Sequence, residues 1–345
     1  MIQFISQNFY ALIAGSMFTA VLILLLRPLA LEASFVDKPN SRKIHHGQIP
    51  IIGGISIFLA SILTSFIFFE TFSTYLIALF VCAGTMVTLG VIDDKINITV
   101  YSKLFFQTAI TLIFIITTKS IVTNLGTPFG LSASLELGLF SIPFTLLAII
   151  GLTNAINMID GCDGLASSLV IISLLAMSIF GDTVLSESMR LLLLILFCNL
   201  IVFLFFNFSN SKNIKTFLGD NGSLFLGFIV ATSFVEFAGS NKLYEPSIVL
   251  WFSAIPIFDF CAVIIRRKFL KRSITTADKS HIHHLVLSWG LSSHFNITAL
   301  ISSLAVALLI FGVLVTSNYP SFSFWSFLAL FLLYFSIRMV FGKAD

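Results

Sequence analysis

Two adjacent carboxylates, Asp93 and Asp94, close an apolar run at Leu89-Gly-Val-Ile-Asp-Asp-Lys95. Neighbouring acids at a helix end repel one another unless a cation or a lysine sits between them. At a helix C-terminus both also oppose the macrodipole, so capping does not account for them. A second polar stretch, Asn154-Ala-Ile-Asn-Met-Ile-Asp-Gly-Cys-Asp-Gly-Leu-Ala166, places Asn154, Asn157, Asp160 and Asp163 at every third position. At about 100° per residue each lags its predecessor by about 60°, which makes one drifting stripe. Gly161 and Gly164 interrupt helix propensity within it, so the stripe is expected on a helix end running into a loop. A fifth acid, Asp220, lies between two glycines in Thr216-Phe-Leu-Gly-Asp-Asn-Gly-Ser223. A local N-cap explains it as well as a ligand role does.

Bases stand against these acids. Lys103 follows the acidic pair, and the stretch 266–294 carries Arg266, Arg267, Arg272, His281, His283 and His284. Arginine forks with imidazole N–H groups suit an anion with several oxygens. A His-rich tract also reads as a transition-metal site, but no cysteine lies near it and the surrounding bases repel a divalent cation. Asp259, inside an apolar run, is either a buried partner for a basic side chain or a wall of the site. Carboxylates that hold a hard cation, beside bases that hold a polyanion, form the pattern of magnesium-assisted phosphoryl transfer.

The elements that must position these residues are membrane helices. The chain is 57% hydrophobic and only 10% charged, with a mean hydropathy of +1.04, against roughly 25% charged in an ordinary soluble domain. Apolar runs predict an all-α, polytopic helical bundle of eleven spans at 9–30, 51–69, 73–92, 104–122, 138–154, 165–181, 190–208, 223–239, 247–265, 295–317 and 323–341. One transmembrane domain over 1–345 is expected, with the site built from loops 31–50, 93–103, 154–164, 209–222 and 266–294. No Lys or Arg precedes the first span, so it reads as a retained helix with its N-terminus outside. That orientation puts 16 of the 19 basic residues on the cytoplasmic side or at inner helix ends, and leaves Lys119, Arg190 and Lys242 outside. The expected topology is therefore N-out and C-in. The distribution of the bases says more than the net charge of +3: the basic face suits anionic headgroups or phosphorylated ligands. In the first of these loops, five basic or imidazole side chains precede Pro50 and the Gly53-Gly54 pair, which reads equally as a positive-inside loop or an anion site. Cys82, Cys162, Cys198 and Cys261 show no metal or disulfide spacing.

The strings Asp37-Lys-Pro-Asn-Ser-Arg-Lys-Ile-His-His-Gly-Gln-Ile-Pro-Ile-Ile-Gly-Gly54, Asp93-Asp-Lys95, Asn154 to Ala166, Leu218-Gly-Asp-Asn-Gly-Ser223 and His281-Ile-His-His284 resemble the polyprenyl-phosphate N-acetylhexosamine-1-phosphate transferases, in the family's order and over nearly the whole chain. Within the family they are most similar to the WecA-like branch, which starts O-antigen and related surface glycans. The MraY branch of peptidoglycan synthesis usually carries Thr-Pro-Thr-Met-Gly-Gly where this chain has Ile49-Pro-Ile-Ile-Gly-Gly54. The resemblance implies transfer of an N-acetylhexosamine 1-phosphate, GlcNAc-1-phosphate first among them, from a UDP-sugar to undecaprenyl phosphate, with release of UMP and a need for Mg²⁺ or Mn²⁺. It implies a multi-pass protein of the bacterial inner membrane with its site facing the cytoplasm. No nucleic-acid partner is expected, and a homodimer is left open.

By position, the resemblance makes Asp93 and Asp94 the acidic pair, Asp160 and Asp163 the second acidic motif, and Asp94 with Asp220 the metal site. Lys103, Asn154, Asn157, Arg267, His281, His283 and His284 become substrate contacts, the histidines on the donor diphosphate. Ser273-Ile-Thr-Thr-Ala-Asp278 departs from the Ser-Pro-Phe-x-x-Asp of many relatives. Two other readings stand beside this one: an MraY-like phospho-MurNAc-pentapeptide transferase, and a cation-coupled transporter, which would hold its acids at the midplane. The chemical path is either direct attack by the lipid phosphate, with Asp93 as base, or an acyl-phosphate on a carboxylate such as Asp160. Direct attack is expected, because a phosphate monoester with a second pKa of about 6 is already mostly dianionic at neutral pH.

The distribution of basic residues has a direct test. Cysteines placed at 213 and 276 should react with an impermeant maleimide only from the cytoplasmic side, and one at 242 only from outside. Outside labelling at 276 would overturn the topology.

Overall fold

The computed structural model describes residues 2–37, 47–128, 134–240, 244–271, 281–288, 290–291 and 293–341. Lys38, Arg42, Lys43, Lys242, Arg272, the 273–278 departure, Lys279 and Lys343 lie outside the described residues. The protein is an all-α, polytopic membrane protein. Its helices group into two compact units, Met1–Thr118 with Leu174–Ile229 and Lys119–Ser173 with Val230–Asp345.

The first unit begins with α1 (Ile2–Gln7), α2 (Phe9–Glu32), a two-stranded antiparallel pair β1 (Val36–Asp37) and β2 (Ile49–Pro50), α3 (Gly53–Phe68), α4 (Thr74–Ile96) and α5 (Val100–Thr118). The chain then supplies α6 (Ser141–Ile159) and the start of α7 (Leu165–Phe180) to the second unit. The end of α7, α8 (Glu187–Asn207) and the start of α9 (Gly219–Ser240) belong to the first. The second unit is completed by the rest of α9, α10 (Ile248–Phe252), α11 (Ala254–Phe269), α12 (Ile282–Ser288), α13 (His294–Asn318) and α14 (Pro320–Phe341). Among the described residues nine helices are long and apolar enough to cross a membrane, namely α2, α4 to α9, α13 and α14, and α3 is a shorter apolar helix.

The expected span 247–265 is two helices, and Pro256 explains the break. In an unbroken helix the amide of residue 256 would bond to the carbonyl of Phe252, and proline has no N–H to give. The chain turns at Ser253 (φ −133°, ψ 37°). The hydroxyl of Ser173 donates instead to the Phe252 carbonyl, at 2.7 Å. Freed backbone groups in a membrane helix survive only with such a substitute.

In the first unit α2, α3 and α8 pack together, and α4 packs on α5. What positions the site is a near-contact of backbones. A Cβ on Gly54 of α3 would stand 2.2 Å from the Cα of Gly222 in α9, and one on Gly90 of α4 would stand 2.3 Å from the Cα of Asn221. Small residues are what allow membrane helices to approach so closely. In the second unit α6 packs on α11, and α13 packs against α10, α11 and α14. Trp251, Ala254, Phe258 and Phe327 form a buried cluster there. The indole N–H of Trp251 donates to Ser323 Oγ at 3.1 Å, so its polar end is satisfied within the apolar core.

The close approach at Gly90 predicts an asymmetry between two glycines of helix interiors. Gly90→Ala forces backbone apart and should cost about 1–3 kcal/mol. Gly151→Ala, whose Cβ would meet nothing within 4 Å, should be neutral or slightly stabilising through helix propensity. Thermal unfolding of the two variants in detergent would separate them, and equal melting temperatures would refute the crossing.

Candidate active site

The end of α4 is built by Asp93. Its carbonyl accepts the N–H of Asn97 at 2.8 Å, its Oδ1 accepts the N–H of Ile98 at 3.0 Å, and its Oδ2 pairs with Lys103 Nζ. Asn97 adopts the left-handed conformation (φ 52°), which asparagine tolerates better than most residues. The turn so made returns the chain as α5, and one turn into α5 Lys103 reaches back to the acid that caps the turn. The same ammonium stands 3.5 Å from Asp220 Oδ2. Asp93 and Asp220 therefore share one cation. Asp93 is buried, whereas the Asp220 side chain is 36% exposed, so the pair is reachable from solvent on its Asp220 side.

Asp94 is engaged differently. Its Oδ1 accepts the N–H of Asp220 at 2.9 Å, and its Oδ2 accepts the N–H and the side-chain Nδ2 of Asn221, at 3.1 and 2.7 Å. It caps the first turn of α9 from another helix, supplying acceptors to amides that a helix start leaves unsatisfied. Gly219 is required beside it: φ is +75°, and a Cβ there would stand 2.2 Å from Ile51 Cγ2 and 2.8 Å from Asp94 Oδ2. Asn221, which the sequence reading left without a role, is fully buried. It donates to the Ile51 carbonyl at 3.1 Å and accepts from the Ile55 N–H at 3.0 Å, so it also ties the start of α3 to that of α9. The first-turn amides of Gly53 and Gly54 are spent on the carbonyls of Phe217 and Leu218. Those two amides hold the loop before α9, and the five bases that precede the pair lie outside the described residues.

In the second unit α6 ends at Ile159 and the chain runs into a loop, as the stripe of Asn154, Asn157, Asp160 and Asp163 predicts. The first three lie on α6 or at its C-cap and are half-buried. Asn154 Nδ2 donates to the Ile150 carbonyl of its own helix at 2.8 Å. Asp163 is held from α13: its carbonyl accepts the Thr298 hydroxyl at 2.7 Å, and its Oδ2 lies 3.4 Å from His294 Nδ1. Burial, above all, pushes the Cys162 thiol in this loop up to about 12. It is a neutral thiol and no nucleophile at physiological pH.

His281, His283 and His284 open α12. The first two are buried, with rings parallel at 6.1 Å, and His284 lies 4.2 Å from His283. Burial first, then His284 and His281, pushes the His283 imidazolium down to about 3, so that ring is neutral at pH 7 and can offer one N–H and no charge. Its Nδ1 is buried and has no partner among the described residues. His281 Nδ1 faces Asp259 Oδ2 at 2.7 Å, which places Asp259 as a buried partner for a base. Arg266 and Arg267 are buried in the last turn of α11, where cations complement the helix dipole.

Hard carboxylate oxygens are the donors magnesium takes. Among the described residues no group of three His, Cys, Asp or Glu side chains forms a cage for a metal. Magnesium needs none, since it is commonly held by one or two carboxylates plus substrate phosphates. Asp93 and Asp220, which already converge on one cation, fit that requirement. Asp94 fits it only through the lone pairs its three N–H donors leave over.

His283 covers the loop after α6 so closely that only glycine fits beneath it. A Cβ on Gly161 would stand 2.4 Å from His283 Nε2. Gly161→Ala should therefore destabilise the protein by about 1–3 kcal/mol. Adding His283→Ala should recover most of that loss in a detergent melt, whereas additive losses would show that the ring does not lie on Gly161.

Comparison with known proteins supplies the chemical context. The family model described as Glycosyl transferase family 4 matches residues 76–238. The chain is 37% identical over 290 residues to a probable undecaprenyl-phosphate N-acetylglucosaminyl 1-phosphate transferase of Bacillus subtilis, covering 82% of this chain and 78% of that one. It is 34% identical over 331 residues to the undecaprenyl-phosphate alpha-N-acetylglucosaminyl 1-phosphate transferase of Salmonella typhi, and 33% identical to that of Escherichia coli K12, in each case covering 94% of this chain and 88% of the other. With the acidic pair and Asp220 inside the matched segment and 78% to 88% of these relatives covered, the chain belongs to glycosyl transferase family 4.

Proposed function

We propose that this protein transfers N-acetylglucosamine 1-phosphate from UDP-GlcNAc to undecaprenyl phosphate, releasing UMP, at the cytoplasmic face of the bacterial inner membrane. The observation that carries this reading is the Asp93–Lys103–Asp220 cluster at the ends of α4, α5 and α9, in a chain matched over most of its length by transferases of that name. A lipid acceptor requires a membrane-embedded enzyme, and a water-soluble nucleotide sugar requires a site at a helix end.

An oxygen of the lipid phosphate attacks the β-phosphorus of the donor. The bond from that phosphorus to the bridging oxygen breaks, and UMP leaves with the electron pair. One diphosphate linkage replaces another, so little free energy is released and the step runs in both directions. Magnesium bound by Asp220 with Asp93 or Asp94 would neutralise the diphosphate and the leaving phosphate. Lys103 keeps Asp93 and Asp220 in one place and offers its own positive charge to phosphate oxygens. Following the family resemblance, Arg267 and His281 bind the donor diphosphate, and neutral His283 adds a hydrogen bond without charge. Direct attack suits this set better than a covalent relay: the acceptor is ionised without help, and a phosphorylated aspartate would add an anion among carboxylates.

The test is a purified chain assayed with undecaprenyl phosphate, Mg²⁺ and a series of UDP-sugars. UMP should appear with UDP-GlcNAc, and Asp220→Asn should slow its release by about 10²–10³-fold. Exchange of labelled UMP into UDP-GlcNAc should require the lipid. Exchange by rigorously delipidated enzyme would move the nucleophile onto a protein carboxylate. Activity confined to UDP-MurNAc-pentapeptide would establish the MraY-like alternative.

A further inference from the structure

Asp259 is 1% exposed in the middle of α11, and a carboxylate so placed costs several kcal/mol unless its oxygens are satisfied. It is satisfied from three directions. Oδ2 faces His281 Nδ1 at 2.7 Å, and Oδ1 accepts the Ile282 N–H at 2.9 Å and the Tyr334 hydroxyl at 2.7 Å. Arg338, one helical turn beyond Tyr334 on α14, approaches Oδ1 only to 3.9 Å. Were Asp259 merely the counter-ion of a membrane arginine, that contact would be the shortest; it is the longest. The tight contacts go to His281, to the peptide that follows it, and to a hydroxyl whose remaining surroundings are the apolar cluster around Phe258.

We propose that Asp259, braced by Tyr334 and Arg338, is a positioning residue for the transfer: it accepts from Nδ1 of His281 and so orients the ring to donate from Nε2 to the donor diphosphate. The inference rests on the function proposed above. An imidazole's two nitrogens have opposite roles when the ring is neutral, and the partner of one decides the role of the other. A carboxylate and a diphosphate can both only accept, so a ring set between them carries a proton on each nitrogen, Nδ1–H to Asp259 and Nε2–H to the donor. The Ile282 N–H on the same carboxylate fixes the backbone that carries the ring. Tyr334 and Arg338, four residues apart on one face of a membrane helix, hold the carboxylate itself. α14 thereby serves the site although the resemblance assigns none of its residues a role.

Asp259→Asn separates positioning from simple packing. Asparagine keeps the shape and can still accept from Ile282 N–H and Tyr334, but it removes the negative charge that lets the ring carry a proton on both nitrogens. With the full-length chain, UDP-GlcNAc and undecaprenyl phosphate, kcat should fall about 10- to 100-fold, the range typical for removing an orienting partner, with the Mg²⁺ requirement unchanged. The double variant Asp259→Asn/His281→Ala should be no slower than His281→Ala alone, because both act through one ring. Losses that multiply, a folded Asp259→Asn enzyme within about twofold of wild type, or a fully active His281→Ala would each overturn the proposal. If Asp259→Asn does not fold, Tyr334→Phe decides. Its loss should be about fivefold, the equivalent of one ordinary hydrogen bond, and absent in the His281→Ala background, whereas an equal loss in both backgrounds overturns the proposal. A wild-type chain inactive on this substrate pair strikes the proposed function and the inference together, and an active one with an unaffected Asp259→Asn strikes the inference alone.

Discussion

The carboxylate of Asp94, lying across the first turn of α9, is the interaction on which the acidic site of the first unit depends. A helix start at a membrane boundary has amides that neither lipid nor its own chain can satisfy. Asp94 takes three N–H donors there, and one is the amide of Asp220. The ligand candidate is therefore placed by the neighbour of Asp93 and not by its own loop. Gly90 makes this possible. Positions i and i+4 share a helix face, so the glycine that lets α9 approach α4 and the aspartate that caps α9 lie one above the other. A larger residue at 90 would lift α9 away from the carboxylate one turn on. The cost of an acid at the C-terminus of α4 is offset by the positive end of α9. Two adjacent aspartates are tolerated because each faces a different source of positive charge, Lys103 for one and the α9 amides for the other.

Much of the fold was legible in the sequence because hydropathy reports directly on which segments lipid can surround. Ten of the expected spans overlap one apolar helix each. The exception, 247–265, failed for a local reason: mean hydropathy is blind to a single missing amide, and the effect of Pro256 depends on whether Ser173 is there to take the Phe252 carbonyl. The acids were legible because unpaired charge in apolar sequence is expensive and so conspicuous. Asn221 was not, since a buried asparagine and a turn asparagine look alike until the segments it bridges, at Ile51, Ile55 and Asp94, are known. Tyr334 and Arg338 left a weaker trace, a polar pair at i and i+4 in an otherwise apolar helix, and nothing in their spacing names Asp259, 75 residues away.

The polar groups of the second unit differ from those of the first in how far they are closed to solvent. Asp259 is enclosed, with both oxygens committed to named donors, and a group so closed to solvent acts through what it holds. Asp163, half-buried and held through its carbonyl by Thr298, has its carboxylate 3.4 Å from Nδ1 of the partly exposed His294. Neutral His283 stands between these extremes. Packed over Gly161, it binds the loop after α6 to the start of α12 by shape, and burial, above all, keeps the ring neutral.

Charge arithmetic links the first unit's cluster to its proposed chemistry. Asp93, Asp94 and Asp220 with Lys103 carry three formal negative charges and one positive, a balance of −2. A nucleotide-sugar diphosphate is itself an anion, and two charges 4 Å apart repel by about 4 kcal/mol at the effective dielectric of a protein surface. Such a cluster binds a diphosphate only if a further cation enters with it. Lys103 alone cannot serve, because its charge is already counted and divided between two carboxylates. Under the proposed function a divalent ion brought with the donor would supply that cation, and Lys103 keeps Asp93 and Asp220 drawn together.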